Sequence, residues 1–237
     1  MVDEWRRNIL RWLFPSSCLL CGDQGLEDLA LCRGCRDDLR RPTASCQHCA
    51  LPLPAAGICG RCQRRPPGYQ RARAPYLYAP PLDSLLLQLK FGSRLAVAPL
   101  LGVLLARALA PVERELLLVP VPLHRRRLAE RGFNQVWEIG RVLARELDLP
   151  SAPAALRRVR HTPPQSTVDA GARRRLLRGV FRAEAGLVAG RRIALLDDVM
   201  TTGATLEEAA AELLRGGAAA VEVWSVARTA GGAKAAV

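Results

Sequence analysis

Short apolar runs divide the second part of this chain into predicted strands. Residues 193–196 are apolar in succession, a pattern typical of a strand covered on both faces of a parallel sheet. Residues 116–122 form a second apolar run, and its closing prolines place it at the end of a strand, where no further N–H is needed for pairing. Residues 220–227 alternate into a third strand after two glycines. The pattern therefore predicts at least three parallel strands.

Apolar residues recur at helical spacing between these strands. Residues 82–109 favour two helices, because residues 91–93 and Pro99 interrupt the recurrence. A loop follows the second strand, and another helix opens near residues 132–135 and runs to about Leu147. Strands that alternate with helices predict an α/β fold with a parallel sheet flanked by helices.

An acidic pair and a hydroxyl-rich turn follow residues 193–196. Asp197 and Asp198 are expected at the carboxyl end of that strand, where open α/β sheets bind ligands, and adjacent carboxylates can accept hydrogen bonds from the vicinal hydroxyls of a ribose. The turn that leads into the next helix consists of Thr201, Thr202, Gly203, Ala204 and Thr205. Backbone N–H groups, hydroxyls and a helix dipole together favour a monophosphate. The run therefore predicts a sugar-phosphate site.

Eight cysteines, all between residues 18 and 62, form four C-x-x-C pairs. The pairs are Cys18/Cys21, Cys32/Cys35, Cys46/Cys49 and Cys59/Cys62. Two such pairs can place four thiolates around one cation, so the count and spacing predict two structural zinc ions. We expect sequential sites, 18/21/32/35 and 46/49/59/62. An interleaved arrangement, 18/21/46/49 with 32/35/59/62, has the same ligand count.

Other interpretations of the cysteines fit the sequence less well. A disulfide framework is disfavoured, because no export signal is visible and the remaining chain has no cysteine. An iron–sulfur cluster usually has tighter or less symmetric spacing. His48 could replace a thiolate, but we expect it to be a solvent-facing spacer. A segment so poor in large apolar residues needs metal binding for much of its stability.

The run Pro66-Pro67-Gly68 predicts the joint between two domains. Residues 1–68 would hold an N-terminal amphipathic helix and a small double zinc ribbon, and residues 69–237 the α/β domain. The helix, near residues 5–14, is expected to dock on the protein, with a membrane-surface anchor as the alternative. No apolar window is long enough to span a membrane, so we expect no transmembrane segment and a cytoplasmic protein.

Positive charge is concentrated upstream of the acidic pair. The 237 residues carry a formal net charge of +13, and residues 120–182 hold fourteen arginines against five acidic residues. Residues 183–237 hold five basic and seven acidic residues. A basic face beside a phosphate site would attract pyrophosphate, nucleotides or a nucleic-acid backbone, although a solvated surface has the same composition.

Residues 197–205 contain two acidic residues and then, from residue 201, the sequence Thr-Thr-Gly-Ala-Thr. This run resembles the phosphoribosyl-pyrophosphate signature of type I phosphoribosyltransferases. The resemblance implies a type I phosphoribosyltransferase-like sheet. It also implies that Asp197 and Asp198 hold the ribose hydroxyls and that residues 201–205 hold the 5′-phosphate. Phosphoribosyl pyrophosphate would bind together with Mg²⁺.

The stretch VPVPLHRRRLAERGFNQ, residues 119–135, resembles the signature of the ComF family of competence proteins. That family also joins an N-terminal multi-cysteine zinc module to a phosphoribosyltransferase-type domain, so the resemblance covers nearly the whole chain. A basic loop after a core strand would face the same crevice as the acidic pair, which makes Arg127 and Arg131 the expected partners of the pyrophosphate. Asn134 and Gln135 either share that role or cap and orient the helix.

A third block is similar to the ComF pattern between residues 162 and 181. It contains Thr162, Gln165, Arg173 and Phe181, but Leu176 stands where the family pattern has an asparagine. Residues 157–175 are rich in arginine and interrupted by prolines, which favours a mobile lid that excludes water from the site. Thr162, Gln165 and Arg173 are the expected lid residues.

The ComF resemblance implies a protein that binds phosphoribosyl pyrophosphate and serves DNA uptake in natural transformation. Its zinc module and arginine-rich face would contact single-stranded DNA, and proteins of the DNA-uptake machinery would be its partners. The alternative is an active phosphoribosyltransferase of the amido or nucleobase type, with Asp197, Asp198 and Arg131 as catalytic residues. A third interpretation is a zinc-dependent nucleic-acid adaptor with a vestigial pocket.

Overall fold

A five-stranded parallel sheet forms the centre of the computed structural model, which describes residues 17–161 and 176–230. In chain order, the strands are β1 (Ala44–Ser45), β2 (Pro52–Leu53), β3 (Ala72–Arg73), β4 (Tyr76–Leu77), β5 (Leu117–Pro120), β6 (Leu156–Arg158), β7 (Phe181–Ala183), β8 (Arg192–Met200) and β9 (Ala220–Arg228). The sheet has the order β3-β9-β8-β5, and β4 also pairs with β9. Every pair in it is parallel.

Eight α-helices begin and end within the described residues, and they flank this sheet or belong to the cysteine-rich segment. They are α1 (Arg33–Asp37), α2 (Gly60–Arg64), α3 (Leu82–Phe91), α4 (Val97–Leu109), α5 (Arg125–Arg131), α6 (Gln135–Leu147), α7 (Ala185–Val188) and α8 (Ala204–Arg215). A short 3₁₀ turn covers Pro153–Ala155. Among the described residues, no helix combines the length and the apolar character needed to cross a membrane.

The central strand β8 is buried on both faces, as its unbroken apolar run predicts. Ala194 and Leu196 pack into a cluster with residues of α3, α4 and α6, whereas Ile193 and Leu195 pack on the opposite side with residues of α8. Successive side chains of a strand point to opposite faces, so one short run serves two cores. The predicted α/β architecture is therefore confirmed.

Two details of the strands differ from the prediction. Strand β8 does not end at Leu196: it extends past the acidic pair, with Asp197 opposite Ser225, Val199 opposite Ala227 and Met200 opposite Arg228. The polar side chains ended the apolar pattern but not the backbone ladder. In addition, β3 and β4 were not predicted, because two residues each are too few to show a period.

The basic segment after β5 is a helix, not the predicted loop. His124 caps α5, since its Nδ1 accepts a hydrogen bond from the Arg126 N–H at 3.2 Å. Gly132 ends the helix in the left-handed conformation, at φ +82°, which favours glycine. The two helices predicted within residues 82–109 are α3 and α4, but Pro99 lies in the first turn of α4, where a proline needs no N–H partner.

The cysteine-rich segment packs against the α/β part of the chain through apolar side chains and through backbone hydrogen bonds. Cys18, Leu29 and Leu31 belong to the same apolar cluster as α3 and α4. The N–H of Ala72 donates to the carbonyl of Gln47 at 3.3 Å, and the N–H of Leu77 donates to that of Arg40 at 2.9 Å. Two backbone hydrogen bonds thus connect the ribbon to strands β3 and β4 of the sheet.

Part of the predicted lid is regular structure. Residues 157 and 158 belong to β6, which pairs antiparallel with β7. The expected lid residues Thr162, Gln165 and Arg173 lie outside the described residues, as does the N-terminal helix predicted near residues 5–14.

Candidate functional site

The side chains of the two aspartates at the end of β8 point in different directions, and each accepts hydrogen bonds that fix its position. Asp198 is 8% exposed and accepts a hydrogen bond from Gln135 Nε2 of α6 at 3.1 Å. Its other oxygen accepts from the N–H of Val199 at 2.8 Å, and Asp197 Oδ1 accepts from the N–H of Asp198 at 2.9 Å. Because neighbouring strand residues face opposite sides, Asp198 turns toward α6.

Asp197 lines a pocket together with residues 199–206. The predicted turn forms the wall of this pocket between β8 and α8. Gly203 occupies the left-handed region, at φ +82°, and precedes the first residue of α8. The first N–H groups of a helix have no partner inside it and carry the positive end of its dipole. The pocket therefore combines the start of a helix, with its unpaired N–H groups, and one carboxylate.

Burial raises the pKa of Asp197 well above its ordinary value, and repulsion from Asp198 acts in the same direction. The charge of Lys90, at the end of α3, opposes the shift. An acid whose charged form is disfavoured in the folded protein is typical of functional sites, where a ligand supplies the missing compensation.

Both predicted arginines lie on α5, and Arg131 connects to the acidic pair through Gln135. Arg131 Nη1 donates to Gln135 Oε1 at 2.5 Å, so that Gln135 links Arg131 to Asp198. Burial lowers the pKa of Arg131, the negative charge of Asp198 opposes that shift, and the positive charge of Arg127 adds to it. Arg127 and Arg131 therefore lie on the side of the site that contains Asp198.

Asn134 and Gln135 have separate roles in the described contacts. Asn134 caps α6, because its Oδ1 accepts from the N–H of Val136 at 3.0 Å. Its Nδ2 also donates to the carbonyl of Val121 at 3.2 Å, which fastens the helix start to the end of β5. Gln135 is instead 4% exposed and contacts the acidic pair.

Arg158 is a residue of the site that the sequence did not single out. It lies on β6, with its guanidinium 5.5 Å from the centre of the Phe181 ring. Burial lowers its pKa, the charge of Arg127 does the same, and the charge of Asp197 raises it. The neighbouring Arg157 is exposed, so strand alternation is the signal that would have separated the two, but this segment was interpreted as a lid.

The eight cysteines form two clusters that fit a tetrahedral metal. In each cluster, the four sulfur atoms lie within 4.8 Å of one another: Cys18, Cys21, Cys32 and Cys35 in the first, and Cys46, Cys49, Cys59 and Cys62 in the second. The sequential pairing is therefore confirmed, and no disulfide joins the eight residues. His48 belongs to neither cluster, and it is half-buried rather than solvent-facing as predicted.

Backbone amides favour thiolates in both clusters. The N–H of Cys59 donates to Cys46 Sγ at 3.3 Å, and the N–H of Cys35 donates to Cys32 Sγ at 3.4 Å. Burial raises the pKa of Cys46, but backbone donors outweigh it and lower the pKa to about 6. Burial raises the pKa values of Cys49 and Cys62, so four thiolates in this cluster need a cation. Four such thiolates are the usual ligands of a structural zinc ion.

Comparison with known proteins agrees with both parts of this structure. Residues 9–63 match a family model described as a double zinc ribbon domain, and residues 138–236 match a phosphoribosyl transferase domain. Over 223 residues the chain is 40% identical to the DNA utilization protein YhgH of Escherichia coli strain K12, a match that covers 91% of this chain and 98% of that protein. The chain belongs to the ComF family.

A second relative of this ComF protein is Competence protein F of Haemophilus influenzae, which is 32% identical over 225 residues, 91% of this chain and 98% of that protein. Among solved structures, an adenine phosphoribosyltransferase from Leishmania donovani superposes with a TM-score of 0.36 at 19% identity, over 60% of this chain and 56% of that one. The double zinc ribbon match agrees with the two four-cysteine zinc-binding sites of the ComF protein.

Replacement of Asp197 by asparagine should stabilise the ligand-free protein. Because the pKa of Asp197 is raised on folding, its ionisation destabilises the folded state as pH rises from the unfolded pKa toward the folded one. At pH 8, Asp197→Asn should raise Tm by about 2–4 °C for each kcal/mol relieved. The gain should shrink as pH falls and disappear below about pH 3, where the carboxyl is protonated in both the folded and the unfolded state. The measurement is thermal unfolding against pH.

The exposed Glu130→Gln variant is the control for that experiment and should change Tm by less than about 2 °C at any pH. A lower Tm for Asp197→Asn at pH 8 would contradict the assignment of Asp197 as a destabilising buried acid.

Proposed function

We propose that this ComF protein binds phosphoribosyl pyrophosphate with Mg²⁺ at the end of β8 and acts in the uptake or use of DNA. The observation that supports it most is the pocket that Asp197 shares with residues 199–206. A carboxylate and a phosphate-binding helix terminus are the two groups that a ribose 5-phosphate requires. The printed names of the relatives, DNA utilization protein and competence protein, support the DNA role.

In the proposed complex, residues 201–205 bind the 5′-phosphate through backbone N–H groups, and Asp197 accepts hydrogen bonds from the ribose hydroxyls. Asp198, held by Gln135, adds negative charge next to them. Arg127, Arg131 and Arg158 lie on the acidic side of the site and neutralise the pyrophosphate. Bound Mg²⁺ would supply further charge neutralisation for the pyrophosphate oxygens.

The proposal extends to the organisation and location of the protein. The ribbon module would end at residue 68 and the phosphoribosyltransferase-type domain would cover 69–237, in a cytoplasmic protein. Residues 162–175, with Thr162, Gln165 and Arg173, would close over the pocket, because β6 and β7 lead the chain away from Arg158 and back to Phe181 beside the site.

Calorimetry with phosphoribosyl pyrophosphate and Mg²⁺ tests the binding site. Asp197→Ala/Asp198→Ala should reduce the affinity about 100-fold, since two charge-assisted hydrogen bonds of roughly 1.5 kcal/mol each are lost. The exposed pair variant Glu130→Gln/Asp148→Asn should bind like the wild type. Equal affinities for the acidic-pair variant and the wild type would contradict the site.

Single-stranded DNA would lie along the outer face of α5. Arg125 and Arg126 are exposed there, and neither has an ion-pair partner among the residues that the structure describes. Such side chains are available for phosphates, and their contacts must weaken as salt rises.

The DNA contact is tested by the salt dependence of oligonucleotide binding. Arg125→Ala/Arg126→Ala should lower the slope of log K against log salt by about 1.4, which is roughly 0.7 for each lost phosphate contact to a single strand. Arg191, an exposed arginine that precedes β8 at the opposite end of the strand, provides the matched control Arg191→Ala. An unchanged slope for the α5 variant would place the DNA elsewhere.

A second candidate function is phosphoribosyl transfer itself, which the three arginines around the acidic pair favour. A nitrogen nucleophile would form a bond to the anomeric carbon, the bond from that carbon to the pyrophosphate oxygen would break, and the nucleophile would lose a proton to solvent. The arginines would stabilise the leaving pyrophosphate, so positioning and charge would supply the rate.

Pyrophosphate release in the presence of ammonia, amines and nucleobases tests this candidate. An active enzyme should release pyrophosphate with at least one acceptor, and Arg131→Ala should reduce that rate by roughly 100-fold or more, as expected for removal of one transition-state donor. Binding of phosphoribosyl pyrophosphate without release for any acceptor would favour the DNA role alone.

A further inference from the structure

The second cysteine cluster touches the back of the threonine turn through Arg61. This residue lies in α2 between the ligands Cys59 and Cys62, and its Nη1 donates to the carbonyl of Thr202 at 2.7 Å. Its Nη2 lies 3.9 Å from the position that a Cβ on Gly203 would occupy, and 4.0 Å from a carboxylate oxygen of Glu207 in α8. A side chain of the ribbon therefore supports the turn and the start of the helix.

Arg228 makes a second connection between the same cluster and the same turn. It is the last residue of β9 and is 3% exposed. Its Nε donates to the carbonyl of Cys49 at 3.0 Å, while its Nη1 donates to the carbonyl of Met200 at 2.9 Å and to that of Thr201. One guanidinium thus ties a metal-ligand turn to the point where β8 becomes the threonine turn.

These contacts orient the peptide groups of the turn. In a trans peptide, the N–H points away from the C=O of the same unit, and the only cis bonds in the described residues precede Pro81 and Pro111. Because Arg228 and Arg61 hold the carbonyls of Thr201 and Thr202, the N–H groups of Thr202 and Gly203 point away from the ribbon. Those are the donors that an anion in the pocket requires.

The positive charge of Arg61 lies directly behind the turn, where its Nη1 donates to the carbonyl of Thr202. An arginine guanidinium stays protonated near neutral pH. A permanent positive charge behind the turn favours an anion in front of it, since Coulomb attraction in a partly buried site is only weakly screened.

The first cysteine cluster has no such connection among the described contacts. Its segment packs against the helices on the other face of the sheet, where Arg107 of α4 pairs with Asp28 and Arg94 Nη1 donates to the carbonyl of Leu19 at 3.4 Å. The two zinc-binding sites therefore differ in what they support.

We propose that Arg61 and Arg228 are positioning residues for the threonine turn, so that metal in the second cluster controls anion affinity whereas metal in the first supports only the fold. The affinity part rests on the proposed function, phosphoribosyl-pyrophosphate binding at this turn. The coupling itself, from cluster to turn, does not need the ligand.

Hydrogen exchange of the ligand-free protein tests the coupling directly. Arg61→Ala should speed amide exchange in residues 207–210, the first hydrogen-bonded amides of α8, by about tenfold, as expected for loss of a charged hydrogen bond of roughly 1.5 kcal/mol at the start of that helix. Arg64→Ala, an exposed arginine on the same helix, should leave exchange there unchanged. Metal analysis should find two zinc ions in both variants, so that the difference does not arise from metal loss. Unchanged exchange in Arg61→Ala would overturn the proposal.

Calorimetry with phosphoribosyl pyrophosphate and Mg²⁺ then tests the consequence. Arg61→Ala should weaken binding about tenfold, Arg61→Lys should restore part of the loss through its charge, and Arg64→Ala should bind like the wild type. Equal affinity for Arg61→Ala and wild type would overturn control of affinity while leaving the proposed function intact. Absence of binding by the wild type would contradict the proposed function, and the exchange result would still decide the coupling.

Selective metal loss completes the test. Cys62→Ser should remove one zinc ion and weaken phosphoribosyl-pyrophosphate binding, whereas Cys35→Ser should remove one zinc ion and lower Tm with unchanged affinity at a temperature where it is folded. Circular dichroism establishes that each variant is folded before binding is measured. The same loss of affinity in both variants would overturn the division of roles, and a Cys62→Ser chain that does not fold leaves the decision to Arg61→Ala.

Discussion

Pairing of β8 with β9 is the constraint on which the rest of this structure depends. The ladder extends from Arg192 to Met200, with register partners for Asp197, Val199 and Met200 after the apolar run. Because the backbone stays paired, Asp197 is held beside the turn that follows, and Arg228 of the neighbouring strand arrives next to Met200. A single register therefore positions the carboxylate, the threonine turn and the arginine that reaches the ribbon.

Charged side chains are concentrated at this edge of the sheet. Two acidic residues follow each other in the central strand, and arginines approach them from α5 and β6 while Arg61 supports the turn from the opposite side. Burial and the charge of Asp198 both raise the pKa of Asp197, so its ionisation disfavours the folded state, while the two apolar clusters on the faces of the sheet stabilise it.

Much of the fold and half of the site could be predicted from sequence, and the failures have physical causes. The sheet and the sequential zinc sites could be predicted, because the apolar run of β8 and the four C-x-x-C pairs are local patterns that can be seen in a few neighbouring residues. Strands β3 and β4 exist only through their partner β9, and α5 depends on a cap from His124, which local hydrophobicity does not reveal. In the sequence, Arg61 and Arg158 look like every other arginine of this arginine-rich chain; only the fold brings Arg61 to the Thr202 carbonyl and Arg158 near Asp197.

The pairing of β3 with β9 also determines the order in which the molecule can be completed. Strand β3 directly follows the ribbon, yet its partner is the last strand of the sheet to be synthesised. During synthesis, β3 and the cysteine-rich segment before it leave the ribosome first. Strand β3 stays unpaired until β9 has been synthesised, because a strand cannot pair with a partner that does not yet exist. Metal loading of the nascent ribbon can thus occur long before the pocket exists, and the pocket can form only on a chain that has been translated through β9.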